Sequence, residues 1–513
     1  MSEKVSAMRS GSPFVDAGRR IAGWVDSRHT VAIAALAAFL LRLPGLTRPI
    51  RADEAGFLLV ARSWDPMPDS VYGAFFVDRP PLLIAIFKIS DEIGGPLFIR
   101  VVGALACAAL VVTAAWTARL VAGRRSARWT AVCVAALTTN TVIDAVAVKG
   151  ELLGLPFVMA GCALALIALR RRSVPIAVLA GLSAGIAPHV KQNLLGGLVF
   201  AGALLLVSWA VREIDWRVFL RLAVAGLAGA AVPLVATVLW ARSAGVELDV
   251  LWYAVGGFRS DAAAALTVGS THAPTLRAGI LLTAGLVAGM LLVLGGFVLH
   301  IREEWADGKA VTAATAAMLA FDTAALVIGG SFWRDYLFPL LPATALAAAL
   351  LARRSNRRGR TMRGVIVGAA LSSVTCLVGW VVINAAGLQE FHEYDTGVAI
   401  ERVAEPGDSL VVFGGRADLQ LASGMGSPYE HLWSLPMRTL DPDLAELGAL
   451  VTGPDAPTWL VEWVRFETWN EPAGARLRTL VEERYAAHGT GCDGRRIYLL
   501  RGVERGPVEP DCG

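Results

Sequence analysis

Long apolar runs separated by short polar turns fill the first three quarters of the chain. They lie near 29–46, 98–121, 130–148, 152–169, 174–188, 194–211, 218–240, 276–299, 310–330, 336–352 and 364–386. A bilayer core about 30 Å thick takes roughly twenty apolar helical residues, so the pattern predicts about eleven transmembrane helices. One apolar segment does not fit as a crossing: Leu82 to Ile89 is short and flanked by Arg79, Asp91 and Glu92. It reads as an interfacial helix inside a first outer loop, 47–97. After residue 386 the pattern changes. Glu393 to Glu405 reads as a helix stopped by Pro406-Gly407, and Ala473 to Ala487 as another. Ser409 to Phe413, Pro457 to Trp463 and Arg496 to Leu500 read as strands. The fold class expected is therefore an all-α polytopic membrane domain over 29–386, followed by a small α/β domain over 387–513.

Charge decides the orientation. The connections that eleven crossings place on the N-terminal side carry Arg124, Arg125 and Arg128; Arg170 to Arg172; Arg212 and Arg217; Arg302 and Lys309; and the run from Arg353 to Arg363. The polar tail 1–28 adds Lys4, Arg9, Arg19, Arg20 and Arg28. Basic clusters mark the cytoplasmic side. The N-terminus is then cytoplasmic, and the C-terminal domain lies outside a plasma membrane that the chain crosses many times. A crossing by Leu82 to Ile89 would turn every cluster outward. No small-residue cleavage site follows the first run, so no removable signal peptide is read.

Composition sharpens this. Only 18% of the 513 residues are charged and 55% are hydrophobic, against about 25% charged in globular domains. A cytosolic enzyme, a disordered chain and a single-pass anchor are excluded. Residues 1–385 carry +14 and 386–513 carry −10, so the small net charge says nothing about nucleic acid, and no nucleic-acid partner is expected. Cys107, Cys133, Cys162 and Cys376 lie in apolar runs and read as small buried hydrophobes. Cys492 and Cys512 lie in the outer domain, where a disulfide is chemically allowed.

The outer ends of the spans collect mixed charges: Asp53-Glu54, Asp78-Arg79, Lys149, Glu151, His189, Lys191, Arg259, Asp261 and Arg334-Asp335. Ionisable groups at membrane depth pair, line a wet cavity or do chemistry. Arg51-Ala52-Asp53-Glu54-Ala55 follows the first span directly, and a carboxylate there can take the proton of an attacking hydroxyl. Arg79, Lys191, Arg259 and Arg334 can stabilise charge on a departing phosphate. One base and several cations beside lipid point to group transfer from a lipid phosphate. Asp322, inside a span, reads as pairing with a neighbouring helix, and Lys149-Gly150-Glu151 as an ordinary exposed ion pair. Asp65 and Asp69 alone are weak metal ligands; no cofactor is required, and a metal is neither required nor excluded. Trp433, Trp459, Trp463 and Trp469 can stack on sugars, though core packing is the commoner fate.

The order of motifs resembles the PMT-type membrane glycosyltransferases of the GT-C class, which include protein O-mannosyltransferases and lipid A aminoarabinose transferases. The stretches are Ala52-Asp53-Glu54-Ala55, Arg79-Pro80-Pro81-Leu82, Phe98-Ile99-Arg100, Gly181 to Gly185 leading to Lys191, Gly257-Phe258-Arg259, and Arg334-Asp335-Tyr336-Leu337-Phe338-Pro339. The resemblance implies a polyprenyl-phosphate sugar donor, a hexosyl or pentosyl unit, and inversion at the anomeric carbon. The acceptor is then a hydroxyl of an envelope glycan, lipid or protein. It implies Asp53 as catalytic base with Glu54 as its partner, and donor-phosphate contacts from Arg79, Arg259, Tyr336, Lys191 and Arg334. Arg79 stands where the family usually has Lys. The competing class is a polytopic transporter or lipid flippase; internal repeats are common there and none is found here.

Overall fold

In a computed structural model of the chain, residues 25, 27–144, 146–267 and 272–512 are described. The polar stretch 1–24, read as cytoplasmic, lies outside them. The apolar part runs through α1 (Thr30–Leu40), α2 (Ala52–Arg62), α3 (Pro81–Gly94), α4 (Phe98–Thr139), α5 (Gly150–Arg171), α6 (Val174–Val190), α7 (Gly196–Ala210), α8 (Trp216–Ser243), α9 (Phe258–Thr267), α10 (His272–Val287), α11 (Met290–Leu299), α12 (Lys309–Ile328), α13 (Leu341–Ala352) and α14 (Arg357–Ala385). Among the described residues five of these helices, and α13 taken together with the 3-10 turn Arg334–Leu340 before it, are long and apolar enough to cross a membrane. A seventh crossing exists if α10 and α11, bent 80° to each other, count as one span, and α1, α6 and α7 are shorter apolar helices.

Every expected span contains helix, but not every one is a single straight helix: the run 276–299 is bent 80° between α10 and α11. The runs 98–121 and 130–148 form α4, broken where Gly123 leaves helical geometry at φ 84°. The second run stops being α-helical at Thr139. Asn140 caps a short turn there by accepting from the Val142 N–H at 3.0 Å, and the chain then extends to Lys149. The interfacial helix is longer than the apolar run that announced it, because Pro81 opens it at N1 and Gly95 closes it with φ 70°. The first loop also holds α2, which the hydrophobic pattern had not announced.

At the centre stands α13, buried at all twelve residues and built from Ala, Leu, Thr and one N-terminal Pro. It is about 18 Å long at 1.5 Å per residue. The carboxylates of Glu304 and Asp307 hold Arg353 and Arg354 at its C-terminal end with contacts of 2.6–2.9 Å. Asp335 and Tyr336 lie before its N-terminus. In the same way α5 runs from Glu151 to Arg170 and Arg171. The basic clusters and the mixed charges therefore occupy opposite ends of the bundle.

The C-terminal part comprises α15 (His392–Glu401), β1 (Leu410–Phe413), α16 (Ala417–Ala422), α17 (Ser434–Leu440), α18 (Ala445–Thr452), β2 (Trp459–Glu462), α19 (Glu471–Arg484), β3 (Tyr485–Gly491) and β4 (Arg495–Leu500). The sheet order is β1-β2-β4-β3. β1 pairs with β2 in parallel, and the other neighbours are antiparallel. β1 and β2 are buried throughout, which is why both read as short apolar runs. β3 departs from expectation: its sequence, Tyr-Ala-Ala-His-Gly-Thr-Gly, has no apolar alternation, and its first three residues fall within the helix expected over Ala473 to Ala487. Cys492 and Cys512 are bridged. Ala417 and Leu432 share an apolar cluster with Ala55, Phe57 and Leu58 of α2, so this part sits on the end of the bundle that carries the mixed charges.

Candidate functional site

The pair Asp53-Glu54 lies in the first turn of α2, where carboxylates complement the helix dipole. Successive helical residues point about 100° apart, and the two acids consequently do different things. Glu54 is fully buried. It accepts from the Arg51 N–H at 3.2 Å and the Val148 N–H at 2.9 Å, and from Arg100 Nε and Nη2 at 3.2 and 3.0 Å. Arg100, also buried, donates to the carbonyls of Gly45, Arg48 and Pro49 at 2.6–2.8 Å. Glu54 and Arg100 thus form a clamp joining α2, α4, the loop before α2 and the strand-like approach to Lys149.

Asp53 faces the other way and is about a third exposed. Its Oδ2 lies 3.0 Å from Lys149 Nζ, and its Oδ1 accepts the indole N–H of Trp433 at 3.2 Å. Lys149 is shared, with Asp335 Oδ2 also at 3.0 Å. Burial pushes the Asp53 carboxyl up. The charge and hydrogen bond of Lys149, with Arg79 and Lys191 behind them, outweigh it and hold the group well below the usual carboxylate range. Burial lowers the Lys149 ammonium, but Asp53 and Asp335 keep it above its ordinary value.

The remaining cations surround this pair. Arg79 lies over the Phe57 ring at 5.9 Å and meets Asp78 at 2.5 Å. The same Asp78 pairs with Arg259 at 2.7 Å. Lys191 pairs with the buried Glu151 and lies 5.6 Å from the Tyr336 ring centre. Burial and the nearby Arg79 lower the Lys191 ammonium despite Glu151. Four cations and four carboxylates thus interlock, and the most exposed cation is Arg259, at 43%.

Of the residues singled out in the sequence, Asp53, Arg79, Lys191, Arg259 and Tyr336 are brought together, and Glu54 backs them from the protein interior. Arg334 is not: its Nη1 donates to the Val142 carbonyl at 3.3 Å, and it lines an apolar groove of about 640 Å³ with Thr275, Leu276, Gly279 and Ile280. Arg334 and Tyr336 share a 3-10 turn, where residues two apart point in different directions. Lys149 and Glu151 are not the exposed pair expected. Each has different partners, Lys149 with Asp53 and Asp335 and Glu151 with Lys191, because Gly150 opens a helix between them. Asp322 lies against Gly196 at the start of α7.

The residue that sequence reasoning undervalued most is Trp433. Trp459 and Trp463 are core, whereas the Trp433 ring lies 5.6 Å from Phe57 and covers α2. Two glycines permit this approach. A Cβ on Gly56 would stand 2.1 Å from Trp433 Cζ2, and one on Gly415 would stand 2.5 Å from the Trp433 carbonyl carbon. Gly415 therefore makes room for the chain at Trp433-Ser434.

No protein-family model matches the sequence, and no curated protein matches it. Its structure is similar to that of ArnT from Cupriavidus metallidurans in the apo state, at 15% identity over 93% of this chain and 98% of that one, with a TM-score of 0.63. ArnT bound to undecaprenyl phosphate is matched at 16% identity over 94% and 99%, with a TM-score of 0.60. The Archaeoglobus fulgidus oligosaccharyltransferase AglB, in complex with an inhibitory peptide and a dolichol-phosphate, is matched at 12% identity over 94% and 76%, with a TM-score of 0.51. The fold is that of the GT-C membrane glycosyltransferases. Within that fold the charged cluster lies where Trp433 of the C-terminal part meets α2 of the bundle. Sites, and not folds, carry function, so the chemistry must be argued from the cluster itself.

Proposed function

We propose that this protein is an inverting glycosyltransferase that moves a sugar from a polyprenyl-phosphate donor to a hydroxyl acceptor on the outer face of the plasma membrane. The observation that carries the reading is a partly exposed carboxylate, Asp53, held low by Lys149 in a cluster with Arg79, Lys191, Arg259 and Tyr336 on a GT-C fold. The acceptor oxygen attacks the anomeric carbon on the face opposite the phosphate. The bond from that carbon to the phosphate oxygen breaks, the acceptor proton goes to Asp53, and polyprenyl phosphate leaves with the bonding pair. One displacement gives inversion.

Each cation already has a carboxylate partner, so the donor phosphate must share them. That competition has a use. A carboxylate held low by Lys149 is a weak base. A phosphate that draws on Lys149, Arg79 and Lys191 weakens their hold on Asp53 and raises its basicity as the donor binds. Arg259, the most exposed cation, is the one most able to turn from Asp78 to a phosphate, and the Tyr336 hydroxyl can donate to it. The groove beside Arg334 has the size and apolar lining to take part of an isoprenoid chain. The transporter reading is disfavoured because the charges gather at one end of the bundle and not at its middle. Transfer by the purified protein from a panel of polyprenyl-phosphate sugars, with Asp53→Asn alongside, tests the proposal.

A further inference from the structure

A second constellation lies in the C-terminal part, two residues before Trp433. The His431 side chain is completely buried, yet among the described residues neither ring nitrogen has a hydrogen-bond partner. Its Nε2 stands 3.5 Å from a carboxylate oxygen of Glu430 and 3.5 Å from one of Glu446. Both carboxylates are about half exposed. A charge-assisted N–H···O bond closes to about 2.7–2.9 Å, so this is not a hydrogen-bonded imidazolium. A buried imidazole with both nitrogens unpaired is costly. It also lines a cavity of about 10 Å³, roughly the room of one water, which can serve one nitrogen. The other faces the two glutamates.

The spacing fits a common ion. Donors about 2.0–2.2 Å from a tetrahedral centre are separated by about 3.4 Å, close to the observed 3.5 Å, and all three donor atoms lie within 4.8 Å of one another. We propose that Glu430, His431 and Glu446 bind a divalent transition-metal ion, Zn²⁺ by ligand class, as a structural clamp beside the active site. One imidazole and two carboxylates suit that metal. The clamp has something to hold. The Glu430 carbonyl accepts the Phe76 N–H of the first loop at 3.1 Å. That loop continues into Asp78 and Arg79. The ion would fasten it to the segment that lays Trp433 on Asp53.

The test uses the full-length chain in detergent, stripped with a chelator and titrated with ZnCl₂ alone. Equilibrium dialysis should find one high-affinity equivalent per chain, and the melting temperature should rise with it. Glu446→Gln changes a half-exposed side chain without threatening the fold, and it should weaken binding roughly tenfold or more and abolish the thermal shift. His431→Asn should do the same. Absence of stoichiometric binding by the wild-type chain would overturn the proposal. So would binding that both variants leave unchanged, which would put the ion elsewhere, for example at His392 with Glu390 and Asp493.

Discussion

Replacing the two adjacent acids one at a time should produce two different failures. Asp53→Asn keeps the shape and nearly the volume of the side chain, and its amide oxygen can still accept the Trp433 N–H now 3.2 Å from Oδ1. What is lost is the ion pair with Lys149 and the ability to hold a proton. The pair is partly exposed, a third at Asp53 and a fifth at Lys149, so its stability contribution is about 0–1 kcal/mol. Lys149 keeps Asp335 as partner. Turnover, by contrast, should fall roughly 10²–10⁴-fold. Glu54→Gln is the converse. Removing the charge that faces Arg100 leaves a buried guanidinium without its counter-ion, which costs about 3–5 kcal/mol. The melting temperature should drop, while turnover per folded molecule stays nearer wild type than in Asp53→Asn. The assay is sugar transfer from a polyprenyl-phosphate donor at saturating concentration, run beside a thermal melt of each purified variant. Near-wild-type turnover in folded Asp53→Asn would refute the assignment of the base. Wild-type stability in Glu54→Gln would refute the clamp.

Other outcomes follow from the same geometry. Arg259→Ala should raise the donor concentration needed for half-maximal rate, with only partial rescue by Lys, which lacks the planar fork; unchanged donor kinetics would exclude a phosphate contact. Because the folded Asp53 carboxyl is held below its unfolded value of about 3.9, its stabilising contribution is complete above that value and is lost as pH falls through the lower folded one. The kcat/KM profile should therefore lack an acid limb between pH 5 and 8, and a limb centred there would contradict a base already ionised in the free enzyme. Gly56→Ala should push the Trp433 indole from α2 and lower turnover, read together with a change in intrinsic fluorescence; wild-type values for both would show that the contact is incidental. For orientation, single cysteines near Asp69 and Ser427 should react with an impermeant thiol reagent on intact cells, or on spheroplasts, and one near Arg357 should not. The reverse pattern would invert the topology.

The sequence alone determined which stretches form the apolar helices and that the basic clusters lie together at one end of them, because apolar runs of membrane length have one economical fate. It also supplied most of the charges that the structure brings into one cluster, since mixed charges at span ends are expensive unless they pair. It could not say which acid of Asp53-Glu54 faces the cluster. That depends on α2 being a helix, which turns neighbours about 100° apart, and on Arg100 being buried where Glu54 can reach it. Nor could it see that Lys149 joins Asp53 to Asp335, or that Arg334 turns from Tyr336 towards an apolar groove. Trp433 is the clearest case. It reaches Asp53 across 380 positions, through room left by Gly56 and Gly415. Local pattern is short-ranged, whereas this charged cluster is assembled from contacts between distant segments that only close packing brings together.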